Sequence, residues 1–445
     1  LSELRRELGV FSASLLVVGG IIGSGIFFTP AETARALPSA GWVLAVWTLG
    51  GVVALAGALT YAELGAMMPE AGGGYVYVRE AFGRLPAFLL GWMTLLMIAS
   101  GAIAAVAMGF AGYLERFVPI DAVGGRLGVA AITIIVLTIT NYLGVKPGTV
   151  TANVFTISKI AALSALIAIG LALGPGAPPA VVAAPVAPAL ANGVAAAFVA
   201  VLFTIGGWQQ TNMVAGEIRD PGRTLPKALA VGIGIVIAVY LGANVVYLKT
   251  LGRDGLAAST AVAADTMSRL IGPAGATAIT VAAMLSIFGF VNVALLTNAR
   301  VLYALGQDGA FLPSAGKVHP RFGSPHIALV MLGGWSLVLL IATRGTIGTL
   351  LSGVVFADWI FFGLGAASVF VLRRTRPELN RPYRVLGYPW LPAFFVLAAL
   401  VGIVAAFVSA LKMSLIGTGI LAAGVIVYLS QRWRSTAIAT NSSAR

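Results

Sequence analysis

The stretch GGIIGSGIF, residues 19–27, sits inside an apolar run long enough to cross a bilayer, yet it carries four glycines where a helix interior disfavours them. The run extends over about 11–36, and comparable runs recur down the chain. About 20 predominantly apolar residues span a hydrocarbon core. Twelve segments of this kind can be read, the others at about 41–67, 84–113, 127–144, 149–173, 193–216, 227–250, 275–305, 326–342, 346–372, 389–411 and 413–432. The 445 residues are 59% apolar and 10% charged, with a mean hydropathy of +0.97, which is more apolar surface than a soluble core could bury. The expected fold class is an all-α membrane protein forming a single transmembrane domain over 1–445. The N-terminal LSELRRELG precedes an apolar run too long for a cleavable signal. Residues 174–192 read as a Pro/Ala-rich loop and 433–445 as a disordered tail.

The formal net charge of +13 reports topology rather than a nucleic-acid footprint. Of the 28 Lys and Arg, 19 fall on the side of the two termini, 8 on the opposite side and 1 inside a span. By the positive-inside rule both termini are expected in the cytoplasm, with basic loops facing the lipid headgroups of a cell inner (plasma) membrane. No nucleic-acid partner is expected. The chain has no cysteine, so it offers neither thiolate chemistry nor a disulfide.

A weak repeat gives the opening stretch a counterpart. FTIGGWQQ (203–210) is again an apolar helix interrupted by paired glycines at mid-depth, five spans later. Five is odd, so the second copy is inverted in the membrane. Glycine-interrupted spans at corresponding places in two inverted halves point to the substrate site of a secondary transporter. Glycines that merely allow close helix packing are the plainer reading of either cluster alone. At 1.5 Å per residue, both breaks fall roughly 18–21 Å into their spans. Backbone broken at that depth leaves polar groups unpaired in lipid unless it lines a polar cavity.

Three polar side chains lie at a similar depth: Lys159, Ser286 and Asp358. Snorkelling does not account for Lys159, because its side chain reaches only about 6 Å and the headgroups are roughly 15 Å away. An internal cation needs carbonyl or hydroxyl partners. The carbonyls freed at the first break and the hydroxyl of Ser286 would serve. Asp358 is either a protonated or hydrogen-bonded packing residue beside Trp359 or part of the substrate cavity's lining. Glu63, near the inner end of its span, reads as a solvated or capping carboxylate.

The chain resembles the amino acid–polyamine–organocation (APC) superfamily, and within it the L-type amino acid transporters and their bacterial relatives. The resemblance covers nearly all twelve spans. It is carried jointly by GIIGSGIFFTP (20–30), YAELGAMMPEAGGGYVYVREAFG (61–83), FTIGGWQQ (203–210) and EIRDPGRTLPKA (217–228). It implies a LeuT-like fold of twelve transmembrane helices: a 5+5 inverted repeat over about 11–173 and 193–372, with two further helices over about 389–432. It also implies alternating access around a central site. The substrate carboxylate would meet the N–H groups of Ser24, Gly25 and Ile26, an anion at a half-helix N-terminus. The substrate ammonium would meet the carbonyls of Ile21, Phe203, Thr204 and Gly206 at half-helix C-termini. Phe203 would also form an aromatic lid. Ile98 and Ala102 would lie near the substrate side chain, with Asp358 bordering that pocket where asparagine is common. Lys159 would stand in place of a sodium ion, between the first break around Gly20 and Ser286.

The function expected is therefore sodium-independent transport of L-amino acids, neutral ones first, by exchange or together with a proton. An ionised Asp358 facing the cavity would instead favour a cationic amino acid or a polyamine. A sensor sharing the fold is a further alternative. Catalysis is not expected, since there is no buried histidine, no metal-ligand cluster and no cofactor motif. No disulfide-linked subunit is expected either.

Overall fold

The computed structural model describes residues 6–173, 189–345, 347–409 and 411–442. The described chain is helical, with one isolated parallel bridge between Leu8 and Ile218. The first run forms two helices, α1 (Val10–Ile21) and α2 (Gly25–Ala36), bent by 42° at the glycine break. There follow α3 (Ala40–Met67), the short α4 (Gly74–Phe82), α5 (Arg84–Met93) and α6 (Ala99–Leu114), the last two joined by a π-helical turn at Thr94–Ile98. Next come α7 (Gly125–Tyr142), α8 (Val145–Ala172), α9 (Leu190–Ile205), α10 (Gln210–Met213) and α11 (Pro221–Ala258). The chain continues through α12 (Val262–Ile271), α13 (Pro273–Gln307), α14 (His326–Ala342), α15 (Ile347–Thr375), α16 (Trp390–Ser409) and α17 (Leu411–Ser442).

Among the described residues, ten helices are long and apolar enough to span a membrane, or eleven with the bent α1–α2 pair taken as one. The twelfth expected span is α14, which is apolar but has only 17 residues. At 1.5 Å per residue it extends about 25 Å, a few ångströms less than a typical hydrocarbon core. Side chains such as Ile135, Val338 and Val404 lie exposed on the outer surface. That is the arrangement of a chain whose surroundings are lipid rather than water. Helix α17 continues through Ser442, past the point where a disordered tail was expected. Extending an existing helix carries no nucleation cost, and Ala and Ser do not forbid it. Most of the 174–192 loop, and residues 443–445, lie outside the described residues.

Helix α1 packs on α8, α11 and α13, while α2 packs on α9 and α11. Close approach depends on glycine at specific points. A Cβ on Gly19 would lie 2.6 Å from Thr156 Oγ1, so this glycine lets α8 come against α1. Gly207, with φ +106°, packs so tightly on the Gly20 carbonyl that no side chain fits, and that backbone conformation itself favours glycine.

Candidate functional site at the two helix breaks

At the first break the last helical bond runs from Ile22 N–H to Val18 O (2.8 Å). The next amide, Gly23 N–H, turns instead to Ile21 O at 2.9 Å. The carbonyls from Gly19 onward are thereby released from the helix. Lys159, 1% exposed, donates from Nζ to Gly19 O (3.1 Å) and to Ile22 O. Ser286 Oγ lies 3.3 Å from both Ile22 O and Gly23 O. Lys159 and Ser286 thus meet at the break, as expected from the sequence, but Gly20 is not the lysine's partner. Residues 19 and 22 share the face turned to α8. Gly20 is rotated by about 100° toward the second break, where it packs on Gly207.

A residue missed in the sequence joins the two breaks. The Tyr240 hydroxyl, fully buried on α11, lies 3.2 Å from Ile21 O and 3.4 Å from Thr204 O. One O–H proton is shared between carbonyls of both interrupted helices. An apolar helix carrying a tyrosine gives no sign of this in the sequence, because the contact spans 219 residues. The second break, 206–209, is closed locally: Gln209 Oε1 accepts from Gly207 N–H at 3.0 Å.

On the other side of the first break, Gly25 and Ile26 begin α2, so their N–H groups have no carbonyl one turn earlier to bond. Gly25 also faces Thr204, and a Cβ there would meet its side chain at 2.6 Å. Thr204 Oγ1 bonds Thr29 Oγ1 at 2.6 Å, tying α9 to α2.

Between the breaks lies a cavity of about 90 Å³. All the substrate-site residues expected from the sequence line it except Ile26, whose side chain is buried in the core. Gln209, which the resemblance places at the border of the side-chain pocket, lines it too, and Thr94, Gln210 and Asn298 add polar lining that the sequence reading did not include. The π-helical turn contributes Thr94 and Ile98 to the wall, and its backbone is held by Ser100 Oγ on Leu95 O (2.6 Å) and Trp335 Nε1 on Leu96 O (3.1 Å). Such turns recur at functional sites because they re-aim side chains and free a carbonyl.

The two ends of the site differ. Toward α2 and α9 a larger cavity, about 540 Å³, meets the first at Ser24, Gly25, Val106, Phe203 and Val355, so Phe203 stands at the junction. Toward α1 and α10 the protein is closed. Arg300 and Glu217, each 1% exposed, pair at 2.8 and 3.4 Å, and Glu217 O accepts from Glu7 and Leu8 N–H, both at 2.9 Å. Glu63, expected to be solvated or capping, is buried. It takes two bonds from Arg373 (2.9 and 2.6 Å) and one from Val385 N–H (2.7 Å). Arg373 reaches it from the end of α15, and Val385 from the loop 376–389 folded back onto α3.

A small cavity between two interrupted membrane helices, closed on one side and joined to a larger cavity on the other, defines a membrane protein built around an internal small-molecule site. The family model "Amino acid permease" matches residues 8–430. Among curated proteins, the b(0,+)-type amino acid transporter 1 of Homo sapiens is 32% identical over 405 residues, covering 86% of this chain and 79% of that one. The large neutral amino acids transporter small subunit 2 of Mus musculus is 33% identical over 401 residues (86% and 73%). The Asc-type amino acid transporter 1 of Mus musculus is 32% identical over 444 residues (97% and 82%). The chain belongs to the amino acid permease family, within the APC superfamily, whose members here are transporters and not enzymes.

Proposed function

We propose that this chain is a sodium-independent secondary transporter of L-amino acids working by alternating access, as an exchanger or together with a proton. The carrying observation is the ammonium of Lys159 on Gly19 O and Ile22 O, with Ser286 Oγ on Ile22 O and Gly23 O. A fixed cation already occupies the carbonyls of the broken helix where a soluble cation would otherwise be coordinated. The substrate carboxylate binds at the N-terminus of α2, at the amides of Ser24, Gly25 and Ile26. The substrate ammonium binds at the carbonyl ends of α1 and α9, through Ile21, Phe203, Thr204 and Gly206. Phe203 covers the site from the larger cavity. Ile98, Ala102 and Asp358 face the substrate side chain.

The fold we propose is the LeuT-like one, with α14 as the remaining span of twelve. The helix pairings support it. Exchanging the halves maps the α1–α11 contact onto α9–α3, α13–α8 onto α6–α15, and α14–α6 onto α7–α13, and every one of these pairs is in contact. A two-fold relation between inverted halves requires that correspondence. The excess of Lys and Arg on the side of the termini supports cytoplasmic termini in a plasma membrane. With no cysteine in the chain, a covalent subunit is not part of this reading.

The test is uptake into proteoliposomes with sodium, internal amino acid and the pH gradient varied one at a time. Amino-acid uptake should persist when choline replaces sodium. A strict sodium requirement would sink the assignment of Lys159.

A further inference from the structure

Three acids around the bundle, the buried Glu63 and Glu217 and the exposed Asp308, are each paired with an arginine. Glu63 is paired with Arg373, Glu217 with Arg300, and Asp308 with Arg79 at 2.6 Å. Asp358 lines the central cavity on α15 and has no hydrogen bond or ion pair among the described residues. It is also the only acidic or basic side chain in that cavity's wall. The two phenols of the same wall are engaged elsewhere: Tyr61 Oη lies 3.3 Å from Phe362 O, and Tyr75 Oη donates to Asp308 at 2.7 Å. An unpaired carboxylate at mid-membrane is costly, and among the described residues no basic side chain lines this cavity to offset that cost.

We infer that the missing partner is carried in by the substrate: Asp358 is a specificity-determining residue that selects amino acids whose side chain ends in a cation, of the lysine or ornithine type. The inference rests on the amino-acid site proposed above and names its substrate class. The α-carboxylate and α-ammonium are accounted for by the two helix breaks, which leaves Asp358 surplus to a neutral substrate. Ile98 and Phe362, also in the wall, offer apolar surface to an alkyl stem. Glu32, exposed in the larger cavity, places a second carboxylate on the way in. Arg35, beside it, has its guanidinium committed to Ala257 O (2.7 Å) and Ser259 O (3.0 Å) at the end of α11.

The experiment is counterflow of radiolabelled L-lysine and L-leucine in proteoliposomes of the full chain, with L-ornithine and L-norleucine as competitors. Norleucine reproduces the lysine stem without its charge. In the native protein, lysine and ornithine should compete at concentrations at least about tenfold lower than norleucine. Asp358→Asn should collapse that ratio by about tenfold or more, and Asp358→Glu, which keeps the charge, should retain a cation preference. The inference falls if norleucine competes as well as lysine in the native protein, whatever the variants do. It falls equally if Asp358→Asn leaves the ratio unchanged. Exchange of leucine alone would overturn the cationic class while leaving amino-acid transport standing. Exchange of no amino acid at all would overturn the underlying function instead.

Discussion

The two helix breaks lie side by side and share a cavity, yet they are held open by different means. At the first, the freed carbonyls of Gly19, Ile21, Ile22 and Gly23 are taken by side chains from three other helices: Lys159, Ser286 and Tyr240. At the second, the turn 206–209 is shaped by its own residues, through Gly207 at positive φ and the Gln209 carboxamide. A break held from outside couples its conformation to the helices that hold it. A break held from within keeps its shape while its surroundings move. In an alternating-access carrier, the first is the place where movement of α8, α11 and α13 would be felt by the substrate.

Substitutions can break this comparison in graded steps. The largest effect is expected at Gly207, where alanine would drive a Cβ into the Gly20 carbonyl and force an L-residue to φ +106°. Gly207→Ala should give little or no monodisperse protein on size-exclusion chromatography. The adjacent Gly206→Ala should fold, because a Cβ there meets nothing closer than 3.3 Å. Similar yields from the two would undo the account of the second break. Next is Lys159→Ala, which leaves the buried Gly19 carbonyl unsatisfied, at about 1–3 kcal/mol, and Ile22 O with Ser286 as its remaining partner. We expect folded protein with a lowered melting temperature and exchange reduced by about a hundredfold. Unchanged uptake would remove Lys159 from the mechanism.

Smaller effects should separate the tie from the turn. Tyr240→Phe removes one shared hydroxyl and should lower stability by about 1 kcal/mol. If the hydroxyl couples the breaks, it should also slow exchange by several-fold, which is a KM-against-rate measurement in counterflow. A purely structural hydroxyl would change stability alone. Gln209→Ala frees a single amide at the second break and should have the smallest effect on melting temperature, about 1 kcal/mol or less. An effect larger than that of Lys159→Ala would reverse the assignment of which break is held from outside.

Much of this was legible in the chain. The apolar runs, the interruption around Gly23 to Gly25 and the internal character of Lys159 follow from hydropathy, from glycine in a helix and from how far a lysine can reach. Nearly all of the expected cavity residues line one cavity, because the two interrupted helices pack side by side at their breaks. What was not legible depends on how each helix is rotated about its axis. One step along α1 separates Gly19, which bonds Lys159, from Gly20, which packs on Gly207. The partner of Glu63 is an arginine 310 residues away, and the π-helical turn at Thr94–Ile98 leaves no mark in its apolar sequence.

By itself, then, the sequence determined that the chain is a helical membrane protein with two glycine-interrupted helices, because hydropathy and backbone propensity are properties of neighbouring residues. Only the tertiary structure decided which carbonyl each side chain takes, that Tyr240 joins the two breaks and that Asp358 faces the cavity without a partner. Those depend on the packing of many helices at once, and a rotation of one residue, about 100°, is enough to exchange one partner for another.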